Sequence, residues 1–381
     1  MKAGAGLSFA PDARGAVAEA VGEARTGLGD ADPTFAILSA SRHHVLSAEV
    51  VSEALRVEGG PERVLGCVAE TVVAGDREVE RGPAVAVWLA ALPEPVETFH
   101  MEFVRTSEAG VFGGYRFDHG RSDPHLLVAD PFSFPADLLL AHLNERVPGA
   151  IVMGGMSSGA TGPGEARLFL DDRVLRAGAV GVRLPGIHLR PLVSQGCRPI
   201  GKPFTVTRAE GNLVLELGGR TPLQRIQELV AASSAHDLEL MSQGLHVGRL
   251  IDEYAADPGR GDFLVRGVLG LDRETGAIAV GEMIEVGWTI QFHVRDADTA
   301  DEDLRELLAL ESQSADGALL FTCNGRGTRL FPEPNHDAAL VSERLGDAPL
   351  AGFNCAGEIG PVGGKNFLHG FTASVAWLSD A

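Results

Sequence analysis

The run Cys323-Asn324-Gly325-Arg326-Gly327 puts a thiol, an amide and a guanidinium side by side. It follows Ala318 to Phe321, an apolar stretch that reads as a buried strand, so these polar groups sit where the chain leaves a sheet. That position favours binding. Gly325 and Gly327 permit positive φ or close backbone approach, Asn324 offers a donor and an acceptor, and the planar fork of Arg326 matches a carboxylate. The same residues also read as a tight turn whose Arg326 pairs with Glu358 to fix two loops. On the binding reading, removing Arg326 weakens a carboxylate ligand and leaves the fold intact.

A second run, Gly352 to Gly364, contains Asn354, Cys355, Glu358, Gly360, Gly363 and Gly364, with Asn366 and His369 just beyond it. Its glycines either aim backbone N–H groups at an anion or simply turn a hairpin. A nucleotide loop is excluded, because there is no GxxxxGK[ST] and no GxGxxG between a strand and a helix. The candidate ligand-binding set is Cys323, Asn324, Gly325, Arg326, Asn354, Cys355, Glu358, Gly360, Gly363, Gly364, Asn366 and His369. His43 and His44, in the loop matching Gly325 and Arg326, are further candidates. The rival chemistry uses Cys323 or Cys355 as a nucleophile with His336 or His369 as base. No catalytic residue is expected: Cys67 matches Cys355 in the first of three similar segments, while the second has Gly155 or Met156 there, so the thiol reads as replaceable. Cys197, beside Arg198-Pro199, reads as a turn thiol. The histidines, His119 among them, show neither HExxH nor a Cys/His pair at ligand spacing, and no metal is expected.

These runs need a frame, and the punctuation of the chain supplies one. Helix starts are marked by Pro11-Asp12, by Ser47, by Pro135-Ala-Asp, by Thr221-Pro222-Leu223-Gln224 with its capping box, and by Asn335; a further helix is expected from Asp301 to Leu310. Short Val-rich runs at 84–90, 179–184, 262–271, 289–294 and 373–378 read as strands. Three segments align, 65–92, 153–184 and 351–378, each a strand end, a glycine-rich loop and a hairpin of apolar strands. Each is preceded by a strand that exits into a polar loop and a helix. A fourth, degraded copy is expected over 243–296. The fold class is therefore α+β: two related halves built from repeated β-loop-α-β-Gly loop-β-β units, mixed sheets with helices packed on them. The divisions are an N-terminal helix and lead-in at 1–32, a first half at 33–220 and a second at 221–381, the Thr221 cap marking the boundary. The loops of the three segments should gather on one side, 66–70 and 154–159 lining a cleft equivalent to the one at 323–327 and 354–366.

Composition bounds the partners. With 52 acidic and 32 basic side chains the 381-residue chain has a formal charge of −20, which repels a phosphate backbone and an anionic membrane alike. Only Lys2, Lys202 and Lys365 are lysines, so the cations are almost all arginine. The first residues lack the apolar core of a signal peptide, and the longest apolar run, Ala84 to Leu92, is too short for a span. A cytoplasmic protein that touches neither nucleic acid nor membrane is expected.

The stretch 317–378, carrying CNGRG and GEIGPVGG, resembles the C-terminal half of a FIST domain. Upstream, AILSASRHH, LGCVAETVVAG, VMGGMSSG and VSQGCRPIGKPFTVTRAEGNLVLEL resemble the N-terminal half, so the resemblance covers 33 to 380. It implies a sensory domain that binds small ligands, amino acids among them, found alone or joined to signalling modules in bacteria and to F-box regions in eukaryotes. Some bacterial relatives are haem proteins that sense nitric oxide. This chain resembles the stand-alone form. The expectation is a sensory protein for a small polar, carboxylate-bearing ligand such as an amino acid, read by a downstream signalling protein and compatible with a homodimer; the alternatives are a cysteine-dependent enzyme and a haem-based gas sensor. No cofactor is expected, haem being the one the resemblance leaves open.

Overall fold

The computed structural model describes residues 1–106, 110–117, 123–254 and 258–381; His119 lies outside the described residues. The chain forms two compact units, Met1–Val193 with Leu304–Ala381, and Ser194–Asp303. This division differs from the expected one at 220/221, because the Thr221 cap starts a helix inside the second unit.

In the first unit the three aligned segments share one order of elements. The first runs through strand Phe35–Ser41, helix Ala48–Glu58, strand Arg63–Ala69, hairpin Val72–Ala74/Arg77–Val79 and strand Val85–Ala91. The second runs through His125–Ala129, Ala136–Arg146, Val152–Met156, Leu168–Leu170/Arg173–Leu175 and Ala179–Arg183, and the third through Gly317–Cys323, His336–Leu345, Leu350–Cys355, Glu358–Val362/Lys365–His369 and Ala373–Asp380. In each, the first strand lies parallel to the second and antiparallel to the last. The hairpins are exchanged. Val72–Ala74 pairs with residues of Leu350–Cys355, Leu168–Leu170 with residues of Arg63–Ala69, and Glu358 and Ile359 with Gly155 and Gly154. Each sheet is thus finished by another segment, and the exchange closes into a ring.

Glycine fixes the register between segments. At Gly66, Gly154 and Gly352 a Cβ would lie 1.8, 2.0 and 1.9 Å from the carbonyl oxygens of Leu38, Leu127 and Leu320, so only glycine fits where the two parallel strands cross. Counting from these, Cys67 aligns with Gly155 and Phe353, and Cys355 aligns with Ala69 and Ser157. The expected match of Cys67 with Cys355 is off by two residues. His44 does align with Arg326. A core of Leu65, Trp88, Val128, Met153, Phe321 and Phe353 joins side chains from all three segments, while the helices cover the other faces.

Helix starts largely follow the signals. Asp12 accepts from Gly15 N at 2.7 Å and opens Ala13–Leu28, a turn or two longer than its short apolar pattern suggests. Asn335 does not cap its helix: it sits at φ 67°, and its Oδ1 accepts instead from Glu78 N at 2.8 Å.

The second unit is a closed antiparallel barrel of six strands, with helices Pro222–Ala232 and Ala235–Gln243. Thr221 Oγ1 accepts from Gln224 N at 3.3 Å while Gln224 Oε1 accepts from Thr221 N at 3.1 Å, completing the capping box. The expected fourth copy is corrected here. Its described residues supply the barrel strands Leu245–Leu250, Phe263–Leu271, Ile278–Val280 and Thr289–Arg295; the first three pair antiparallel in turn and the last returns antiparallel to Leu245–Leu250, in place of a parallel strand pair with a crossover helix; residues 255–257 lie outside the described residues. Cys197 is buried at the start of a strand, not in a turn.

Candidate functional site

The strand Gly317–Cys323 is buried throughout until its last residue, so the chain emerges at Cys323 with its polar residues facing three neighbours. Asn324 N donates to Cys355 O at 2.9 Å, which ties the emerging loop to the adjacent strand end. Asn354 N donates to Thr71 O at 3.0 Å, and Ser158 Oγ donates to Asn354 O at 2.5 Å while accepting from Glu70 N at 2.9 Å. Loops of all three segments therefore meet at one junction, where 66–70 and 154–159 were expected to line an equivalent cleft of their own. Arg329 donates to Glu70 Oε1 at 2.5 Å and to Asn324 O at 2.9 Å, closing the outer edge.

Arg326 is 1% exposed, and its fork is taken by Asp337: Nε to Oδ2 at 2.6 Å and Nη2 to Oδ1 at 2.8 Å. The alternative expected partner was Glu358; the observed one is the second residue of the following helix. Thr322 Oγ1 donates to the same Asp337 Oδ2 at 2.8 Å. Burial works against the charge on Asp337, but the Arg326 guanidinium and the hydrogen bonds hold its carboxyl well below the usual range. Glu78, from the first segment's hairpin, accepts from Ala338 N at 2.9 Å. Burial, reinforced by the charge of Asp337, pushes Glu78 up to about 7.

Glu358 is fully buried on the exchanged hairpin and accepts from Thr372 N at 3.2 Å and Thr372 Oγ1 at 2.9 Å. Burial pushes it up to about 8, so it is a neutral acid at pH 7. The Cys323 thiol lies beside it, and burial followed by the nearby Glu358 pushes that thiol and the Cys355 thiol upward. A thiolate nucleophile needs the opposite shift.

Several buried atoms at this junction have no hydrogen-bond partner: Arg326 Nη1, Glu78 Oε2, Asn324 Oδ1, Asn354 Oδ1, Glu358 Oε1 and Ser157 Oγ. A buried polar atom left unmet costs roughly 1–3 kcal/mol, and six such atoms lie together at this junction.

The other expected residues separate from this cluster. Gly327 has φ 57° and lies where a Cβ would come within 2.6 Å of Glu80 Oε1, whereas Gly325 needs no positive φ and packs against Phe371. Gly363 and Gly364, at φ 57° and 77°, form the exposed two-residue turn of the hairpin Glu358–Val362/Lys365–His369, at the end away from Glu358. Asn366 is a strut, its Oδ1 accepting from Val152 N at 3.0 Å and its Nδ2 donating to Ala150 O at 2.7 Å. Gly360 is a packing residue whose Cβ would meet Val193 Cγ2 at 2.9 Å. The His369 ring lies with Nε2 2.9 Å from Gly360 O. Arg326, Asn354 and Glu358 are almost wholly inaccessible, so the expected cleft is closed at these residues. Sequence reasoning missed Asp337, Glu78 and Thr372.

A FIST N domain profile matches residues 34–220 and a FIST C domain profile matches 222–361. The chain belongs to the FIST family. FIST domains are generally taken as small-ligand-binding signalling domains. Over its whole length this FIST protein is 52% identical across 386 residues to "Uncharacterized protein Rv0628c" of Mycobacterium tuberculosis, with all of both chains covered. It is 50% identical across 387 residues to "Uncharacterized protein Mb0898c" of Mycobacterium bovis, of which 99% is covered. The boundary between the FIST N and FIST C profiles falls at the Thr221 cap, inside the barrel, so these profiles divide the chain at a different place from its compact units. Among the described residues no helix is long and apolar enough to cross a membrane.

Proposed function

We propose that this chain is a sensory protein that takes a small, polar, carboxylate-bearing ligand of the amino-acid class at the junction of loops 323–329 and 354–358. The observation that carries the reading is the set of buried polar atoms without protein partners. Arg326 Nη1, the protonated Glu358 and the Ser157 hydroxyl are donors suited to a carboxylate, while the amide oxygens of Asn324 and Asn354 are acceptors suited to an ammonium group. A zwitterion meets both. Because Arg326 is neutralised by Asp337, recognition rests on hydrogen bonds in a desolvated place more than on net charge. Entry requires the loops to part, and in the same proposal that motion is what a downstream signalling protein reads. No covalent step is assigned to the cysteines, whose thiols are held protonated by burial.

Thermal unfolding and calorimetry of the full chain against the standard amino acids, succinate and simple amines test this. A matching ligand at a hundred times its Kd stabilises by about 2.7 kcal/mol, and Asn354→Ala abolishes the shift. A panel in which nothing stabilises the protein overturns the ligand class; turnover lost on Cys323→Ala, or a Soret band in the purified protein, replaces the reading with the enzyme or the haem sensor.

A further inference from the structure

A cavity of about 850 Å3 lies in the second segment, between the strands Glu97–Arg105 and Gly110–Gly113 and the helix Ala136–Arg146. Its inner wall is hydrocarbon, made by Met101, Phe103, Phe112, Phe117, Leu139 and Leu143. Phe103 and Phe112 stack obliquely with ring centres 4.9 Å apart, and Phe112 in turn meets Phe134 at 5.4 Å, so the aromatic wall is braced from behind. The rim carries Arg105, Arg116, Arg146 and His142, all exposed, and among the described residues no carboxylate lines the cavity.

That rim runs against the composition, since acidic residues outnumber basic ones by 52 to 32. It also differs from the arginines that the fold uses as struts. Arg63 is paired with Asp171, Arg183 with Asp123, Arg198 with Asp296 and Arg326 with Asp337. The side chains of Arg105, Arg116 and Arg146 have no ion pair or hydrogen bond to any described residue. Three unspent guanidinium groups above an apolar hollow form a local positive field over a water-excluding surface.

We propose that this cavity binds an amphipathic carboxylate, an acyl or aromatic body with one anionic head, the body against the Phe103–Leu139 wall and the head among Arg105, Arg116 and Arg146. Each half of the ligand answers one half of the site. A bare anion at an exposed rim is screened by water and salt, and a neutral hydrocarbon leaves the guanidinium groups unmatched, so affinity needs both parts in one molecule. The volume is within the usual range for small-molecule sites, roughly 300–1,000 Å3. The site shares no residue with the loop junction, and its occupancy is independent of the reading above.

The test is a fluorescence titration of the full chain with 1-anilinonaphthalene-8-sulfonate, followed by competition with decanoate, decanol and acetate below micellar concentrations. The expected result is saturable binding at one site per chain, displaced by decanoate, with decanol and acetate weaker by at least about tenfold. Arg116→Ala combined with Arg146→Ala should weaken decanoate by a similar factor, and Leu139→Trp should abolish the signal by filling the hollow. The arginine variants sit on the surface and keep the parent melting temperature, so the test stands even if Leu139→Trp unfolds. Non-saturable dye binding, decanol competing as well as decanoate, or arginine variants indistinguishable from the parent overturns the proposal. Asn354→Ala leaves this titration unchanged, which separates it from the loop junction.

Discussion

Arg326 and the arginines around the second-segment cavity are the same side chain in opposite conditions. Arg326 is enclosed, bidentate to Asp337 and shielded from solvent, while Arg105, Arg116 and Arg146 are exposed and answer no carboxylate of the described chain. The motif around Arg326 is the more conspicuous in sequence, yet its charge is already spent inside the fold. Arg326 fixes its loop because Asp337 faces it from the next helix, whereas Arg105, Arg116 and Arg146 meet no carboxylate among the described residues.

The sharpest break of this comparison is Arg326→Ala. It leaves Asp337 buried without its guanidinium, held only by Thr322 and the His336 ring, and should cost roughly 3–5 kcal/mol by urea unfolding. This reverses the expectation that the fold tolerates the change; a loss under about 1 kcal/mol would return Arg326 to the role of a free ligand clamp. Next comes Glu358→Gln. The folded carboxyl keeps its proton to about 8 and the unfolded one to 4.5, so between those values the unfolded state sheds protons first and stability falls as pH rises. The variant lacks that loss and should gain on the parent by up to about 1.4 kcal/mol per pH unit between pH 5 and 8, measured as paired denaturation curves. Glu78, raised to about 7, leaves a residual slope in both proteins.

On the acid side the sign reverses. His125, His246 and His293 are lowered to about 4 chiefly by burial, so stability is complete above their ordinary 6.5 and drains as pH falls towards 4. Calorimetric melting temperatures from pH 7 to 4 should fall, and His293→Phe should flatten the decline in the barrel. A smaller effect is expected from Gly363→Ala, about 1 kcal/mol of turn strain at φ 57° with ligand stabilisation unchanged, because this glycine only turns the hairpin. Smallest is Arg116→Ala, within about 0.5 kcal/mol in the unfolding assay.

Much of the frame was legible because it is written locally. Thr221 and Gln224 lie three residues apart, so their capping box can be read without knowing any distant contact, and the apolar runs at 84–90 and 373–378 became strands of the first unit. The loop at Cys323 was found because a strand ending in glycines and polar residues is also a local pattern. Its partners were not, since Asp337 and Glu358 are equally plausible carboxylates in sequence and only the placement of Asp337 in the first turn of the next helix, with Thr322 beneath it, decides between them. Asn335 misled for a similar reason: its amide is claimed by Glu78, a residue far away in the chain. The barrel misled because the alternation of a hairpin is the same whether its sheet lies open with helices or closes on itself.

The exchanged hairpins impose an order on the birth of the molecule. Gly154 pairs with Ile359, more than half the chain later, so the edge of Val152–Met156 has no partner while the barrel and the whole third segment are still being made. At ordinary ribosome speeds of about 5–20 residues per second, that edge waits tens of seconds, bare and aggregation-prone. The barrel emerges during that interval, and its strands pair only with one another. A nascent chain halted before residue 358 therefore carries an unfinished second sheet, and it is the final stretch of translation that seals the ring.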